Sequence, residues 1–317
     1  MVGYDKKKEK LSQYYFAFAG GLSGFITRAI CQPLDVLKIR FQLQVEPISN
    51  QPVSKYRSVF QAVNLILKEE GIKAFWKGHI PAQFLSVSYG VVQFWAFEIL
   101  SKEAHKHQLP KSLSPVVNFS SGFIAGTLAT VVSFPFDVIR TRLVAQSEQI
   151  RIYHGFLHCA QSLIKKEGPL VMFRGLWPTV LQIGPHAGVQ FMCYKFFNDL
   201  YKLMADSSNT TFSNSLVSGS LAGLCAKTSV YPFDLVKKRL QIQGFEEGRA
   251  MFGKTFHCNG MKDCLFRIYQ TEGPTGFFKG LQPSLIKAIC ASALHFSTYE
   301  MIIKLISHIK DQEFQDV

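Results

Sequence analysis

One motif of eight residues occurs three times in this 317-residue chain, and no other feature constrains the fold as strongly. The copies begin at Pro33, Pro135 and Pro232. Each has an aspartate two residues after the proline, a basic residue three further on and a second base two beyond that. Every copy is followed by Glu-Gly, four residues, an aromatic residue, a base and glycine, starting at Glu70, Glu167 and Glu272. Two motifs in fixed order at a period of about 100 residues indicate a threefold internal repeat.

The segments between these motifs are apolar and long enough to cross a bilayer, which takes about 20 helical residues. Four such runs are Tyr14 to Leu34, Ile80 to Leu100, Val116 to Phe136 and Leu281 to Ile303. The mean hydropathy of +0.10 alone would favour a soluble protein, but the charged connectors account for that low average. We therefore predict an all-α membrane protein with six transmembrane helices in three pseudo-symmetric repeats, 14–107, 108–206 and 207–308, with polar tails at 1–13 and 309–317.

Each repeat is predicted to contain two spanning helices joined by a connector with a short amphipathic helix. In the first repeat the spanning helices cover about Tyr14 to Gln42, bent at Pro33, and His79 to Leu100. Between them, apolar residues return at helical spacing, at Val59, Phe60, Val63, Ile66 and Leu67. That pattern is typical of a helix lying on a membrane surface.

Pairs of glycines four residues apart recur in the first helix of each repeat. They are Gly20 and Gly24, Gly122 and Gly126, and Gly219 and Gly223. Small residues at this spacing let helix backbones approach closely in lipid. The pairs therefore predict close helix packing at three equivalent places.

Charge and cysteine usage argue against several other classes of protein. The net charge of +13 is spread through the connectors without forming a stripe, which disfavours nucleic-acid binding and favours basic loops with an anionic ligand. Seven cysteines without a Cys-x-x-Cys pair indicate neither a disulfide framework nor a zinc site. Residues 1–13 lack the apolar segment of a cleaved signal. His186 and Cys193 have no orienting carboxylate nearby, so we predict neither an enzyme nor a bound cofactor.

The aspartate and the first base of each proline motif lie one helical turn apart and share a face. Such charges at the end of an apolar helix must pair or meet water. Threefold symmetry would bring the three faces together, and a kink at each proline would draw the helix ends into a plug. We predict a gate of cross-repeat ion pairs, with a static charged belt as the alternative, built from Asp35, Lys38, Asp137, Arg140, Asp234 and Lys237.

Polar residues further back on the same face predict a cavity beside this gate. Seven residues before the three aspartates lie Arg28, Thr130 and Lys227, and Lys287 is an isolated cation on the second helix of its repeat. Charges inside apolar helices mark functional sites by default. Three cations without a neighbouring acid favour a phosphorylated ligand, and lysines that snorkel to the interface are the alternative.

The triplicated Pro-x-Asp-x-x-(Lys/Arg)-x-Arg motif, followed by Glu-Gly-x4-aromatic-(Lys/Arg)-Gly, resembles the mitochondrial carrier family over essentially the whole chain. The resemblance implies six helices around a central cavity, three short helices on the matrix side and alternating access. It also implies a multi-pass protein of the mitochondrial inner membrane, with both termini on the intermembrane-space side. A monomer in contact with membrane lipid, including cardiolipin, is expected, without a nucleic-acid partner.

The resemblance also assigns the partners in the gate. On the matrix side it implies the pairs Asp35 with Arg140, Asp137 with Lys237, and Asp234 with Lys38. Family members often add a glutamine nine residues after each proline to brace a pair; Gln42 and Gln241 match this pattern, whereas Val144 does not. The aromatic-acid-x-x-base motif of a second, cytosolic gate is degenerate here, and what remains of it is Glu98, Lys195 and Glu300.

Substrate positions of the family fall on Leu85, Gln182 and Lys287, with Tyr89 and His186 one turn further on. The segments 74–83, 237–241 and 244–253 are similar to family members that carry thiamine pyrophosphate. A diphosphate on the three cations and a heteroaromatic ring on Tyr89 would suit that solute. Import in exchange for nucleotides is expected, because exchange reduces the cost of moving negative charge into a negative matrix. Coenzyme A or an adenine nucleotide is the alternative cargo, and a proton-leak or receptor protein of the same fold is the alternative class.

Overall fold

Helices make up most of the chain in the computed structural model, which describes residues 13–48, 54–106, 114–148, 150–204, 211–252 and 257–313. Six helices are long and three are short in this part of the chain, and it contains no strand. In chain order they are α1 (Gln13–Leu43), α2 (Val59–Glu70), α3 (His79–Lys106), α4 (Ser114–Ala145), α5 (Phe156–Glu167), α6 (Leu176–Met204), α7 (Thr211–Gln241), α8 (Met261–Gly276) and α9 (Leu281–Glu313).

The order long, short, long occurs three times, which confirms the predicted all-helical, three-repeat architecture. Each proline motif ends the first long helix of its repeat, with the proline inside the helix at Pro33, Pro135 and Pro232. In the Glu-Gly motif, a glycine with positive φ ends the short helix at Gly71 and Gly168, and the equivalent Gly273 breaks the helical path within α8. The second long helix then starts directly after the last glycine of that motif.

The most extensive helix contacts run between repeats and close the bundle into a ring. The second long helix of each repeat packs against the first long helix of the next, as α3 on α4, α6 on α7 and α9 on α1. At the last contact the Ser23 hydroxyl lies 2.6 Å from that of Thr298 and 2.8 Å from the carbonyl oxygen of His295. The ring is thus joined where its first and last helices meet.

The buried core lies at the end of the ring that holds the proline motifs, which we call the closed end. Its largest apolar cluster combines residues of α1, α4, α5 and the segment after α7, including Val36, Val138, Leu163 and Phe245. Elsewhere many large apolar side chains point outward; Phe94 and Trp95 on α3 are 77% and 63% exposed. Among the described residues the stretches Ile72–Ala104, Val116–Ala145 and Leu281–Ile309 are long and apolar enough to cross a membrane.

The predicted close packing at the glycine pairs is wrong at most positions. A Cβ added to Gly20, Gly24, Gly122 or Gly223 would meet no atom within 4 Å. The physical reason is that several of these glycines face the interior space: Gly24, Gly122 and Gly126 line cavities. Their small size therefore widens the interior and does not bring helices together.

The close approaches occur instead at the glycine that ends each Glu-Gly motif. A Cβ on Gly78, Gly175 or Gly280 would lie 3.1, 2.9 and 2.9 Å from a main-chain carbonyl oxygen of the next helix in the ring. Those carbonyls belong to Arg140, Lys237 and Lys38, the bases predicted for the gate. Each motif glycine thus lets the start of one repeat's second long helix sit directly on the neighbouring proline motif.

Replacing Gly175 by alanine should lower the apparent unfolding temperature of the purified protein more than the same change at Gly168. Both glycines have positive φ, at +88° and +83°, but only at Gly175 would the new methyl group meet a backbone oxygen. The difference between the two variants should correspond to about 1–3 kcal/mol, the usual cost of overpacking. Equal unfolding temperatures for Gly175→Ala and Gly168→Ala would contradict the packing role.

Candidate functional site

Three ion pairs link the repeats at the closed end. Each aspartate of a proline motif meets the first base of another repeat's motif, so that the pairs run around the ring. The distances are 2.6 Å for Arg140 to Asp35, 2.9 Å for Lys237 to Asp137 and 2.8 Å for Lys38 to Asp234. The carboxylate side chains of Asp35 and Asp137 are only 5% and 7% exposed, so each needs a positive partner to remain ionised.

Asp137 has a second cationic partner that the sequence analysis missed. The ammonium group of Lys238 lies 2.8 Å from Asp137 Oδ1 and 2.9 Å from the hydroxyl of Thr141. Lys238 stands where the other two motifs have Ile39 and Thr141. The sequence therefore contained a signal for this contact, because only the third motif has three consecutive basic residues.

Gln241 braces the same pair, whereas Gln42 does not brace its own. The Gln241 amide donates to Asp137 Oδ2 at 2.9 Å and accepts from Thr141 at 2.7 Å. Gln42 is fully buried at the equivalent position of α1 but forms no hydrogen bond to Lys38 or Asp234 among the described residues. The two glutamines that match one sequence pattern therefore have different surroundings.

Lys287 occupies a different environment from the one predicted. The sequence analysis expected a cation without a neighbouring acid, and this expectation is wrong: Lys287 Nζ lies 2.6 Å from Asp35 Oδ1. The reason is the reach of the lysine side chain, which carries the ammonium group from α9 across to α1. Asp35 is thus held by Arg140 and Lys287 together, at the pair where Val144 replaces the bracing glutamine.

A second layer of ion pairs lies outside the three gate pairs, and it was not predicted from the sequence. The second base of each proline motif, the glutamate of Glu-Gly and the base before the last motif glycine form three equivalent clusters: Arg40, Glu70 and Lys77; Arg142, Glu167 and Arg174; Arg239, Glu272 and Lys279. Burial alone would raise the pKa of Glu70, but hydrogen bonds from Arg40 and Lys77 outweigh it and hold this pKa below its usual value. The fixed spacing of the two motifs in all three repeats was the sequence signal that could have predicted these clusters.

The main cavity lies next to the ion pairs, between α3, α4, α6 and α7, and has a volume of about 1030 Å³. At the end next to the ion pairs it is lined by Lys227 and by Asp234 of the gate. Lys227 donates to the Ser284 carbonyl at 2.7 Å. Polar and aromatic side chains form the walls, among them Tyr89, Gln93, Asn118, Phe123, Gln182 and His186. Cavities with few polar groups among apolar ones are typical small-molecule sites.

A second cavity of about 460 Å³ lies between α1 and α9 and contains Arg28 and Lys287. Of the three predicted cations, Lys227 lines the main cavity, and Arg28 and Lys287 line the second. Neither cavity is lined by Leu85 or Thr130. The Thr130 hydroxyl instead donates to the carbonyl of Gly126 in its own helix, at 2.7 Å.

Comparison with known proteins agrees with this geometry. The model of the family described as "Mitochondrial carrier protein" matches residues 9–108, 111–204 and 208–310. The chain belongs to the mitochondrial carrier family. A relative in Homo sapiens named mitochondrial thiamine pyrophosphate carrier is 45% identical over 305 residues, which covers 95% of each chain. One of the same name in Bos taurus is 43% identical over 98% of this chain and 99% of its own.

Relatives outside the mammals cover the carrier equally well. A protein of Neosartorya fischeri named mitochondrial thiamine pyrophosphate carrier 1 is 35% identical over 322 residues, covering 98% of this chain and 99% of its own. One from Aspergillus terreus with that name is 36% identical over 96% of both chains. The similarity therefore extends through all three repeats.

The end of the carrier opposite the proline motifs shows no matching ring of ion pairs among the described residues. Glu98 binds Lys102 of its own helix at 2.7 Å, and both side chains are more than half exposed. No ion pair between described residues joins Lys195 or Glu300 to another repeat. The residues of the predicted second gate are thus not brought together in this conformation.

Replacing Gln241 by alanine should destabilise the ligand-free carrier more than replacing Gln42. Both side chains are fully buried and equal in size, but only the Gln241 amide hydrogen-bonds the carboxylate of an ion pair. Loss of such a buried bond should cost about 1–3 kcal/mol more than the cavity that both changes create. Thermal unfolding of the two variants in detergent measures the difference, and an equal or larger loss in Gln42→Ala would refute it.

Proposed function

We propose that this carrier imports thiamine pyrophosphate across the mitochondrial inner membrane in exchange for nucleotides. The observation that carries the proposal is the 45% identity, over 95% of the chain, to relatives named for that solute. The mixed aromatic and cationic cavity beside the ion pairs supports it. The transporter class agrees with membership of the carrier family.

All six long helices cross the membrane in this proposal, including α1, α6 and α7. The closed end faces the matrix, the short helices lie along that surface, and both termini are on the intermembrane-space side. The main cavity extends from Asp234 to Asn118 near the start of α4. The conformation is therefore the one that receives solute from the intermembrane space, as one half of an alternating-access cycle.

The solute is oriented with its diphosphate toward the closed end. Lys227 in the main cavity and Arg28 and Lys287 in the second supply the positive charge that phosphate oxygens require. Tyr89 lies on the wall of the main cavity, where a heteroaromatic cation can stack on its ring. Gln182 and His186 supply hydrogen bonds between these two regions.

Lys287 connects the solute to the gate. Its ammonium group is shared between the second cavity and Asp35. A diphosphate that attracts Lys287 takes one of the two cations away from Asp35 and leaves Arg140 as its only strong partner. Solute binding thereby weakens the ion pair that holds α1 to α4.

The electrical cost of transport favours exchange. Each net charge moved across the membrane potential costs about 2.3 kcal/mol per 100 mV. Export of a nucleotide in return offsets the negative charge carried inward. The carrier acts as a monomer, in contact with membrane lipid that includes cardiolipin.

Coenzyme A or an adenine nucleotide is the second candidate cargo. Both carry phosphate groups and a flat ring, so the same cations and aromatic walls would accept them. A proton-leak or receptor protein of carrier fold would have no need for cations in the cavities, and Arg28, Lys227 and Lys287 argue against it.

Purified carrier in liposomes should take up labelled thiamine pyrophosphate only when the vesicles are preloaded with unlabelled solute or nucleotide. Lys287→Ala should reduce this exchange by about 10- to 100-fold, the usual loss when one charged hydrogen bond is removed. Lys304→Ala on the same helix is the matched control, because that side chain is exposed and distant from both cavities. Its exchange rate should stay within about twofold of wild type.

Three other outcomes would change the proposal in different ways. Exchange of an adenine nucleotide or coenzyme A without thiamine pyrophosphate would keep the transporter class and reject the cargo. Equal uptake into empty vesicles would reject the exchange mode. Absence of transport for every phosphorylated solute would favour the leak or receptor protein.

A further inference from the structure

The segment after α7 crosses from the third repeat to the other two. Phe245 is 3% exposed and stacks on Tyr153 of the second repeat, with ring centroids 4.9 Å apart and an interplanar angle of 15°. The guanidinium of Arg142 lies 5.3 Å from the centre of the Phe245 ring. The 3₁₀ turn Glu247–Phe252 follows directly. This segment, residues 244–252, therefore packs on the closed end and is no free loop.

Two consecutive residues of this segment bind opposite sides of one junction. The carbonyl of Gly248 accepts from the backbone N–H of Ser147, just after α4, at 3.2 Å. Arg249 donates from Nη2 to the carbonyl of Leu43, the last residue of α1, at 2.7 Å. The third repeat thus connects the ends of the first and second repeats.

The guanidinium of Arg249 is buried at the junction of repeats 1 and 2. The residue is 4% exposed and lies with Tyr56 and Ala145 between the ends of α1 and α4. Burial and the nearby charge of Arg239 together lower the pKa of Arg249 to about 10, against the opposing effect of Glu46 and Tyr56. The group therefore stays protonated at neutral pH, where a cation at the C-terminal end of α1 is favoured by the helix dipole.

The junction between repeats 1 and 2 is the one that has lost family features. Val144 stands where the bracing glutamine belongs, beside the pair of Asp35 and Arg140. In the outer layer Lys279 reaches the carbonyl of Val45 at 2.7 Å across the junction of repeats 3 and 1. The equivalent Lys77 reaches the carbonyl of Gln146 only at 3.5 Å, although it also pairs with Glu148.

Arg249 has no counterpart in the other repeats. It lies eight residues after Gln241, and the positions eight residues after Gln42 and Val144 hold Asn50 and Ile152. A threefold-symmetric function would call for three such arginines. One arginine, placed at the junction of repeats 1 and 2, indicates a role specific to that junction.

We propose that Arg249 is a positioning residue that holds the closed end shut between repeats 1 and 2 and withdraws from the Leu43 carbonyl whenever the carrier opens toward the matrix. The inference rests on the proposed function, because it assumes alternating access with the closed end facing the matrix. Arg249 contacts neither cavity. It acts on transport only through the balance between the two conformations.

This role predicts an effect that depends on the side of the membrane. Arg249→Ala removes a contact of the matrix-closed state alone and lowers the population of that state. A solute that binds this state then shows a weaker apparent affinity, in proportion to the lost population. The KM for solute offered from the intermembrane space should rise by up to about 10-fold, the limit set by the loss of one buried charged hydrogen bond, and the KM from the matrix side should stay equal or fall.

The test measures exchange of thiamine pyrophosphate in intact mitochondria and in inverted inner-membrane vesicles, from host cells that lack their own transport of this solute. The variants are Arg249→Ala, Arg249→Lys, which keeps the charge and a donor, and the control Arg267→Ala. Arg267 is half exposed and binds Asp263 within α8 at 2.9 Å, so its loss removes the same charge without a cross-repeat contact. Arg249→Lys should recover at least part of the affinity, and Arg267→Ala should match wild type.

The outcomes separate this inference from the proposed function. A rise in KM on both sides, or a loss of maximal rate with unchanged KM, would show that Arg249 is only structural and would overturn the inference. If wild type exchanges an adenine nucleotide but no thiamine pyrophosphate, the proposed cargo fails, and the same comparison with that nucleotide still decides the role of Arg249. A wild type that transports neither would overturn both.

Discussion

Three aspartates at the closed end, two of them buried, must each find a cation from another repeat, and this constraint is the one on which the structure depends. An ionised carboxylate in an apolar bundle is stable only when it is paired and hydrogen-bonded. Because each partner comes from a different repeat, the pairs join the three repeats to one another at the closed end. The motif glycines set the distance, since Gly78, Gly175 and Gly280 place the second long helices directly on the backbone of the gate bases.

The backbone of the ring repeats three times, but the side chains that surround the three aspartates differ. Asp137 has two lysines and a glutamine, Asp35 has an arginine and the cavity cation Lys287, and Asp234 is paired with Lys38. The strongest bracing thus lies between repeats 2 and 3. In the proposed cycle, the junction of repeats 1 and 2 relies on residues that leave it, Lys287 when a solute binds and Arg249 when the closed end opens.

Repetition made much of this predictable from the sequence. Three copies of each motif predict the order of the helices and the direction in which the three aspartates point. A single motif would not show how the repeats lie relative to one another, but threefold symmetry does. The contacts that break the symmetry were not predictable in this way. The Lys287–Asp35 pair depends on the height of α9 relative to α1 and on the reach of a long side chain. The position of Arg249 depends on an insertion that folds back over two other repeats.

In the proposed cycle, a bound diphosphate competes with Asp35 for Lys287. A double-mutant cycle with Asp35→Asn and Lys287→Ala, measured by thermal unfolding of purified carrier with and without saturating thiamine pyrophosphate, tests it most directly. Residues in contact typically show a coupling of about 0.5–3 kcal/mol. We expect such a coupling in the ligand-free carrier and its loss when the solute is bound. A coupling that thiamine pyrophosphate leaves unchanged would contradict it.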